Sequence, residues 1–228
     1  MSENKKYTIL IIEDHPLISE AYKHAFNIIR EEDENVFFEI DEAEDCDTAY
    51  DKIKECVDKG KSIDIVFLDI MLKRSKDGKF LSGEDIGLKI NKVMPKTKII
   101  VSTFLNDNYR IHSIIKSINP DGFIIKNDVT SKELHKIINT VIYDPPYYSR
   151  SVVELLRKNI SSKLLLDDID RKILYELSIG SKMKELPKVI PLSKAGIEKR
   201  KRTLYATFNV KENNDRELLS KAKESGFI

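Results

Sequence analysis

The sequence predicts an α/β protein, a doubly wound five-stranded parallel sheet followed by a small all-helical domain. Three observations carry this. Short β-branched apolar runs alternate five times with segments of helical spacing, the pattern of a parallel sheet covered on both faces. The alternation stops at DPPYYSRS, residues 144 to 151, where paired prolines break any regular element. Beyond it, apolar residues recur only at helical spacing.

The strands read as Tyr7–Ile12, Val36–Ile40, Ile63–Leu68, Lys98–Val101 and Gly122–Ile125, all short and rich in Ile and Val. Pro16 opens the first helix, where a missing N–H costs nothing, and Leu17, Ala21, Ala25 and Ile28 form its stripe. Asp45 or Asp47 can cap the second (Ala49, Ile53, Val57). Ser82 can cap the third (Ile86, Ile90, Val93), which Pro95 ends. Asn106 starts the fourth (Ile111, Ile114, Ile115, Ile118), and Ser131 heads the fifth (Leu134, Ile137, Ile138, Val141). After the prolines, residues 151 to 159 suit a short helix. Asp168 or Asp170 caps a helix with Ile173, Leu174 and Leu177, stopped by Gly180. A short helix is expected over Ser181–Ile190. Ser193 caps the longest, with Ile197, Leu204 and Phe208 on one face, and Asn213 or Asn214 starts the last. The expected domains are 5–143 and 164–228, with 144–163 as linker.

Bulk properties agree. A chain of 228 residues accommodates two domains, and 41% hydrophobic with 34% charged residues is a globular composition. The net charge of +1 conceals an asymmetry. Residues 161–228 hold 15 Lys+Arg against 10 Asp+Glu, leaving 24 against 28 in front. A basic back half suits a polyanionic partner. Cys46 and Cys56 fall on one predicted helix about 15 Å apart, too far to bridge, as expected of idle thiols in a reducing compartment. No apolar stretch reaches the roughly 20 residues of a membrane span. MSENKKYTILII runs into a strand without a signal-peptide pattern, so a cytoplasmic location is expected.

In doubly wound sheets, chemistry gathers beyond the carboxyl ends of the strands. Those ends carry Glu13 and Asp14 after the first strand, Asp69 after the third, Thr103 after the fourth and Lys126 after the fifth. Three converging carboxylates repel one another unless a cation intervenes. A hard divalent ion with oxygen ligands answers that need, and Mg2+ suits a site that handles phosphate. Lys126 and Thr103 add a positive charge and a hydroxyl for an anionic group on Asp69, which makes Asp69 a candidate phosphoryl acceptor.

IIEDHPL, FLDIM, IIVSTF and GFIIK, in that order at strand ends, resemble the landmarks of bacterial two-component response-regulator receiver domains over about residues 5 to 143. The resemblance implies a flavodoxin-like fold and phosphorylation of Asp69 by a histidine kinase. It implies Mg2+ held by Asp14, Asp69 and the Met71 carbonyl, with Glu13 acting through water. Thr103 would be the switch hydroxyl and Phe123 the aromatic that turns inward with it. His15 is read as a local-structure residue rather than a catalyst. Two departures stand out. Lys73 replaces the usual proline four residues after the acceptor, and KRSKDGKFL reads as an insertion of about six residues, a solvated flap. The family glycine of the next helix then falls on Gly83, with Gly78 the alternative. Met71 and Leu105 are apolar and cannot orient hydrolytic water, so the phosphoryl-aspartate is expected to be long-lived. A half-life of seconds in the isolated protein would refute this.

The segment SKAGIEKRKRTLYATF places Lys194, Lys199, Arg200, Lys201 and Arg202 on one helix after a short helix and turn, the grammar of a helix-turn-helix whose second helix enters the major groove. GSKMKEL, IPLSKAGIEKRKRTLYATFNV and ELLSKAKESGFI are similar to the LuxR-type DNA-binding domain over about residues 164 to 228. That resemblance implies that Glu198, Lys199 and Arg202 face double-stranded DNA, with Lys194 and Arg200 near phosphates. It also implies a homodimer through the last helix, using Leu218, Leu219 and Ala222. Glu198, Lys201 and Pro187 depart from the pattern. At Lys201 the core is expected to open to solvent, and at Pro187 the scaffold helix is expected to be distorted or to start late. Together the two halves imply a transcription regulator rather than a turnover enzyme. The alternatives are an aspartate phosphatase, which lacks its second Asp because Met71 stands there, and a regulator whose back half binds protein.

Overall fold

A computed structural model of the chain describes residues 5–105, 107–161 and 166–228. It divides into two compact units, Met1–Phe104 with Ile114–Val152, and Leu105–Ser113 with Val153–Ile228. The first is built on strands β1 (Lys5–Ile12), β2 (Val36–Ala43), β3 (Ile65–Asp69), β4 (Lys98–Thr103), β5 (Gly122–Ile125) and β6 (Tyr147–Tyr148). All neighbours pair in parallel, in the order β2-β1-β3-β4-β5-β6. Its helices are α1 (Pro16–Glu32), α2 (Cys46–Asp58), α3 (Gly83–Val93) and α5 (Ser131–Tyr143), and α4 spans Asn108–Ile118. Asn106, expected to start the fourth helix, lies outside the described residues.

The sheet has six strands where five were predicted. The sixth comes from the segment read as linker, and two residues are too few to show a period in the sequence. The edge of β5 orders them: Tyr147 donates its N–H to the Asp121 carbonyl and Ser149 to that of Phe123, both at 2.9 Å. Strands β3 and β4 also run further than predicted at their carboxyl ends, although β3 starts two residues later, at Ile65. Asp69 and Thr103 are still in the ladder, opposite Ser102 and Ile125 respectively.

Successive strand residues point to opposite faces. One face buries Ile9, Ile11, Phe67, Ile100 and Ile124 against Tyr22, Ala25, Phe26 and Ile29 of α1 and Leu134, Ile137, Ile138 and Val141 of α5. The intervening Leu10, Val66, Leu68 and Val101 are equally buried, and a Cβ on Gly87 of α3 would meet Leu68 and Ile118. Burying each such side chain contributes about 1.5–3 kcal/mol. Caps follow the expected chemistry with small shifts. Asp45 caps α2 in a reciprocal capping box with Thr48, Ser82 caps α3, and Ser131 heads α5 as expected, capped by Thr130 in a box with Glu133. Cys46 is buried and Cys56 half-buried, and neither is bridged. Among the described residues no helix is long and apolar enough to cross a membrane.

The second unit is helical: α6 (Arg150–Ser161) leads in, then α7 (Asp168–Ser178), α8 (Lys194–Thr207) and α9 (Asp215–Glu224). Asp167, not Asp168 or Asp170, caps α7 through the Asp170 N–H at 2.8 Å. Ser193 and Asn214 cap α8 and α9. Ser181–Ile190 is not an α-helix. Only Leu186–Lys188 closes a 3-10 turn, because Pro187 lacks the N–H that a continuing helix needs. The stretch still places Leu186 and Ile190 in a core with Ile173, Leu174, Ile197, Leu204, Phe208, Leu218, Ala222 and Phe227.

Two expectations are corrected here. Leu218 and Ala222 are fully buried in the unit's own core, so they cannot form a dimer face, and only Leu219 of that trio is partly exposed. Lys201 does not open the core to solvent. Its ammonium meets Asp215 at 2.7 Å, Tyr205 donates its hydroxyl to the same carboxylate, and an ion pair covers the position.

Candidate functional site

The strand order places the reversal point between β1 and β3. Loops leaving these neighbours run to opposite sides and open a crevice at their carboxyl ends. Glu13 and Asp14 stand at the end of β1, and Asp69 closes β3. Glu13 and Asp69 side chains are almost wholly buried, at 1% and 2% exposure, and Lys126, at 5%, reaches both. Its ammonium lies 2.7 Å from Glu13 Oε2, 2.9 Å from Glu13 Oε1 and 2.7 Å from Asp69 Oδ2. The Met71 N–H donates to Asp69 Oδ1 at 2.8 Å. Both acceptor oxygens are therefore held in fixed directions.

Burial raises the Glu13 pKa and outweighs the hydrogen bond and charge of Lys126, while the Asp69 charge adds to the rise. Glu13, Asp14 and Asp69 bring three carboxylates to the one lysine ammonium of Lys126. Glu13 Oε2 and Asp14 Oδ1 are buried without a hydrogen bond. Their approaches to Lys126 and His15, both 2.7 Å, have ion-pair length but the wrong direction. One ligand atom from each of Glu13, Asp14, His15 and Asp69 lies within 4.8 Å of the others. Oxygens across a Mg2+ ion stand about 4.2 Å apart, and Mg2+ prefers oxygen donors. Charge, donor type and spacing all fit a divalent cation.

Most of the predicted receiver residues meet here. Thr103 is fully buried at the end of β4. Phe123, expected to turn inward on phosphorylation, is already fully buried. His15, read as a structural residue, precedes α1 and joins the acidic cluster through Nδ1. The loop after Asp69, expected to be a solvated flap, is hydrogen-bonded. Ser75 is buried, its hydroxyl donates to Asp77 at 2.7 Å and accepts the Phe80 N–H at 3.0 Å. Lys76 N–H reaches Asp47 of α2 at 3.1 Å. Of Gly83 and Gly78, only Gly83 is closely packed: a Cβ there would stand 1.9 Å from the Asp69 carbonyl oxygen, whereas Gly78 faces open space.

Sequence reasoning missed three contributors. Phe104 places its ring 5.0 Å from the Lys126 ammonium, a cation–π contact. Tyr22 and Ser102 share a buried 2.7 Å hydrogen bond, and burial raises the Tyr22 pKa. The signal for Ser102 was present, since it precedes Thr103 on β4. An inward Tyr in a helical stripe carries none.

In the second unit, Lys194, Glu198, Lys199 and Arg202 are exposed along α8, opposite buried Ile197, Leu204 and Phe208. Lys194 lies 3.7 Å from Glu198. The half-buried Arg200 guanidinium binds Asp167 and, at 3.1 Å, Asp170, tying α8 to α7.

The model of the response regulator receiver domain matches residues 9–139. No curated protein matches. Among solved structures, RcsB dimers bound to two parallel DNAs align with a TM-score of 0.60 at 20% identity, over 96% of this chain and 98% of that one. RcsB of Salmonella typhimurium aligns at 0.56 and 21%, over 96% and 98%. RcsB of Salmonella enterica serovar Typhimurium, bound to the promoter P1flhDC with phosphomimetic BeF3-, aligns at 0.58 and 20%, over 94% and 97%. The likeness spans both units, so the helical back unit shares the fold of its counterpart in RcsB. With its acidic crevice and reaching lysine, the chain belongs to the response regulator receiver domain family.

Proposed function

We propose that the protein is a two-component response regulator in which Asp69 takes a phosphoryl group from a histidine kinase and the back unit binds DNA to control transcription. The observation that carries the first part is the Lys126 ammonium, held at 2.7 Å by both Glu13 and Asp69 beside the buried Asp14 Oδ1, which has no hydrogen bond. An Asp69 oxygen attacks the phosphorus, the P–N bond of phosphohistidine breaks, and its electrons leave with the imidazole, which takes up a proton. Lys126 transfers its ion pair to a phosphoryl oxygen, and Thr103 offers its hydroxyl to another. Mg2+, held by Asp14, Asp69 and the Met71 carbonyl with Glu13 through water, would supply charge neutralisation to the same oxygens. Met71, 59% exposed, brings no acid or base to the acyl phosphate, which favours a stored label over phosphatase turnover. With Phe123 already buried, the contact made by Thr103 is the change that would bias the β4–β5 face.

Asp69→Asn is expected to abolish labelling by a kinase or by phosphoramidate while the fold persists. Label that survives the substitution excludes Asp69 as acceptor.

For the back unit, the exposed cations of α8 support DNA as the partner, as does the fold shared with a protein solved on DNA. We place Lys199, Arg202 and Glu198 toward the groove and Lys194 toward phosphate. A dimer doubles these contacts and reads two half-sites, through a surface other than Leu218 and Ala222. Binding to selected DNA should weaken steeply with salt, and Lys199→Ala with Arg202→Ala should cost at least tenfold in affinity, at about 1–3 kcal/mol per base-reading pair. Affinity indifferent to both would point to a protein partner.

A further inference from the structure

Lys126 sits on a 3-10 turn, Lys126–Asp128, at the end of β5, and the segment that follows α5 holds the end of β5 and that turn. Ser149, only 1% exposed, donates its N–H to the Phe123 carbonyl at 2.9 Å. Its hydroxyl accepts the buried Ile125 N–H at 3.1 Å and donates to Asp128 Oδ2 at 2.8 Å. Asp128 is fixed in turn by the Ser151 N–H and hydroxyl, each at 2.8 Å. Burial works against charge on Asp128, but these hydrogen bonds outweigh it and hold its carboxyl below the usual range.

β6 pairs with only two residues of β5, so the Ile125 N–H would be left without a strand partner. The Ser149 side chain takes that place and then continues to Asp128. It grips the backbone just before Lys126 and the side chain two residues after it. From the geometry we infer that Ser149 and Asp128 are positioning residues, which hold the turn so that the Lys126 ammonium reaches Glu13 and Asp69. This rests on the phosphoacceptor reading above. It makes residues 147–151, outside the segment matched by the family model, part of the machinery of the site.

The test uses the full chain with phosphoramidate as donor and Mg2+ present. Ser149→Ala is expected to slow labelling of Asp69 about tenfold, with rescue by Ser149→Thr, which keeps the hydroxyl. In a Lys126→Ala background, Ser149→Ala should change the residual rate by less than twofold, because its effect runs through that lysine. A rate within twofold of wild type, or the same tenfold loss without Lys126, overturns the inference. If Ser149→Ala does not fold, Asp128→Asn carries the same expectations. Wild-type protein that takes no label would instead overturn the phosphoacceptor reading on which this stands.

Discussion

Lys126→Ala is expected to cost the first unit about 3–5 kcal/mol, the usual penalty when one partner of a buried ion pair is removed. The lysine is 5% exposed and is shared by two carboxylates that are still more buried. Its removal leaves both uncompensated. The loss should depend on pH with a definite sign. Glu13 already has a raised pKa, from burial first, and without the ammonium it rises further. A carboxyl whose folded pKa exceeds its unfolded value binds protons preferentially when folded, so stability falls as pH rises through that interval. The variant should therefore approach wild type at acid pH and fall behind it above the raised Glu13 pKa. Mg2+ should restore part of the difference. Urea unfolding at several pH values, with and without Mg2+, measures this. A deficit independent of both pH and Mg2+ would mean that Lys126 acts through packing alone.

Gly83→Ala should be nearly as severe for a different reason. Its Cβ would stand 1.9 Å from the Asp69 carbonyl oxygen and 3.0 Å from the Ile70 Cα. Both are backbone and neither can rotate aside. Either α3 shifts or the end of β3 does, and overpacking of this kind costs about 1–3 kcal/mol or more. The acceptor lies on the displaced segment, and a shift of about 1 Å at a reacting group can cost about a hundredfold in rate. Labelling of Asp69 should fall by that order even at temperatures where the variant remains folded. Gly78→Ala, with open space around it but a positive φ of 71°, should lose a little stability and keep the labelling rate. Equal rates for both would show that Gly83 is not tied to the site.

The sheet and its chemistry were legible because parallel strands buried on both faces need unbroken apolar runs, and each carboxyl end interrupts its run with a charge or hydroxyl. Asp69 after IVFL and Lys126 after GFII are such interruptions. Tyr147–Tyr148 was not legible, since its order comes from the edge of β5 rather than from any pattern of its own. Arg200 and Lys201 could not be told from Lys199 and Arg202 in a run of four cations. What separates them is Asp167 and Asp215, residues 33 and 14 positions away. Leu218 and Ala222 misled for a related reason: an apolar stripe in a small helical unit looks the same whether it faces its own core or a second copy.

The loop that follows Asp69 closes at its base, where the Gly83 N–H donates to the Ile70 carbonyl at 3.0 Å. Lengthening a loop already cinched at its ends carries only a small entropic cost, about 0.6 kcal/mol per doubling. Residues between the two pins can therefore be gained, lost or exchanged while the acceptor keeps its place. Partner choice has room to diverge on that rim while the chemistry beneath it stays unchanged.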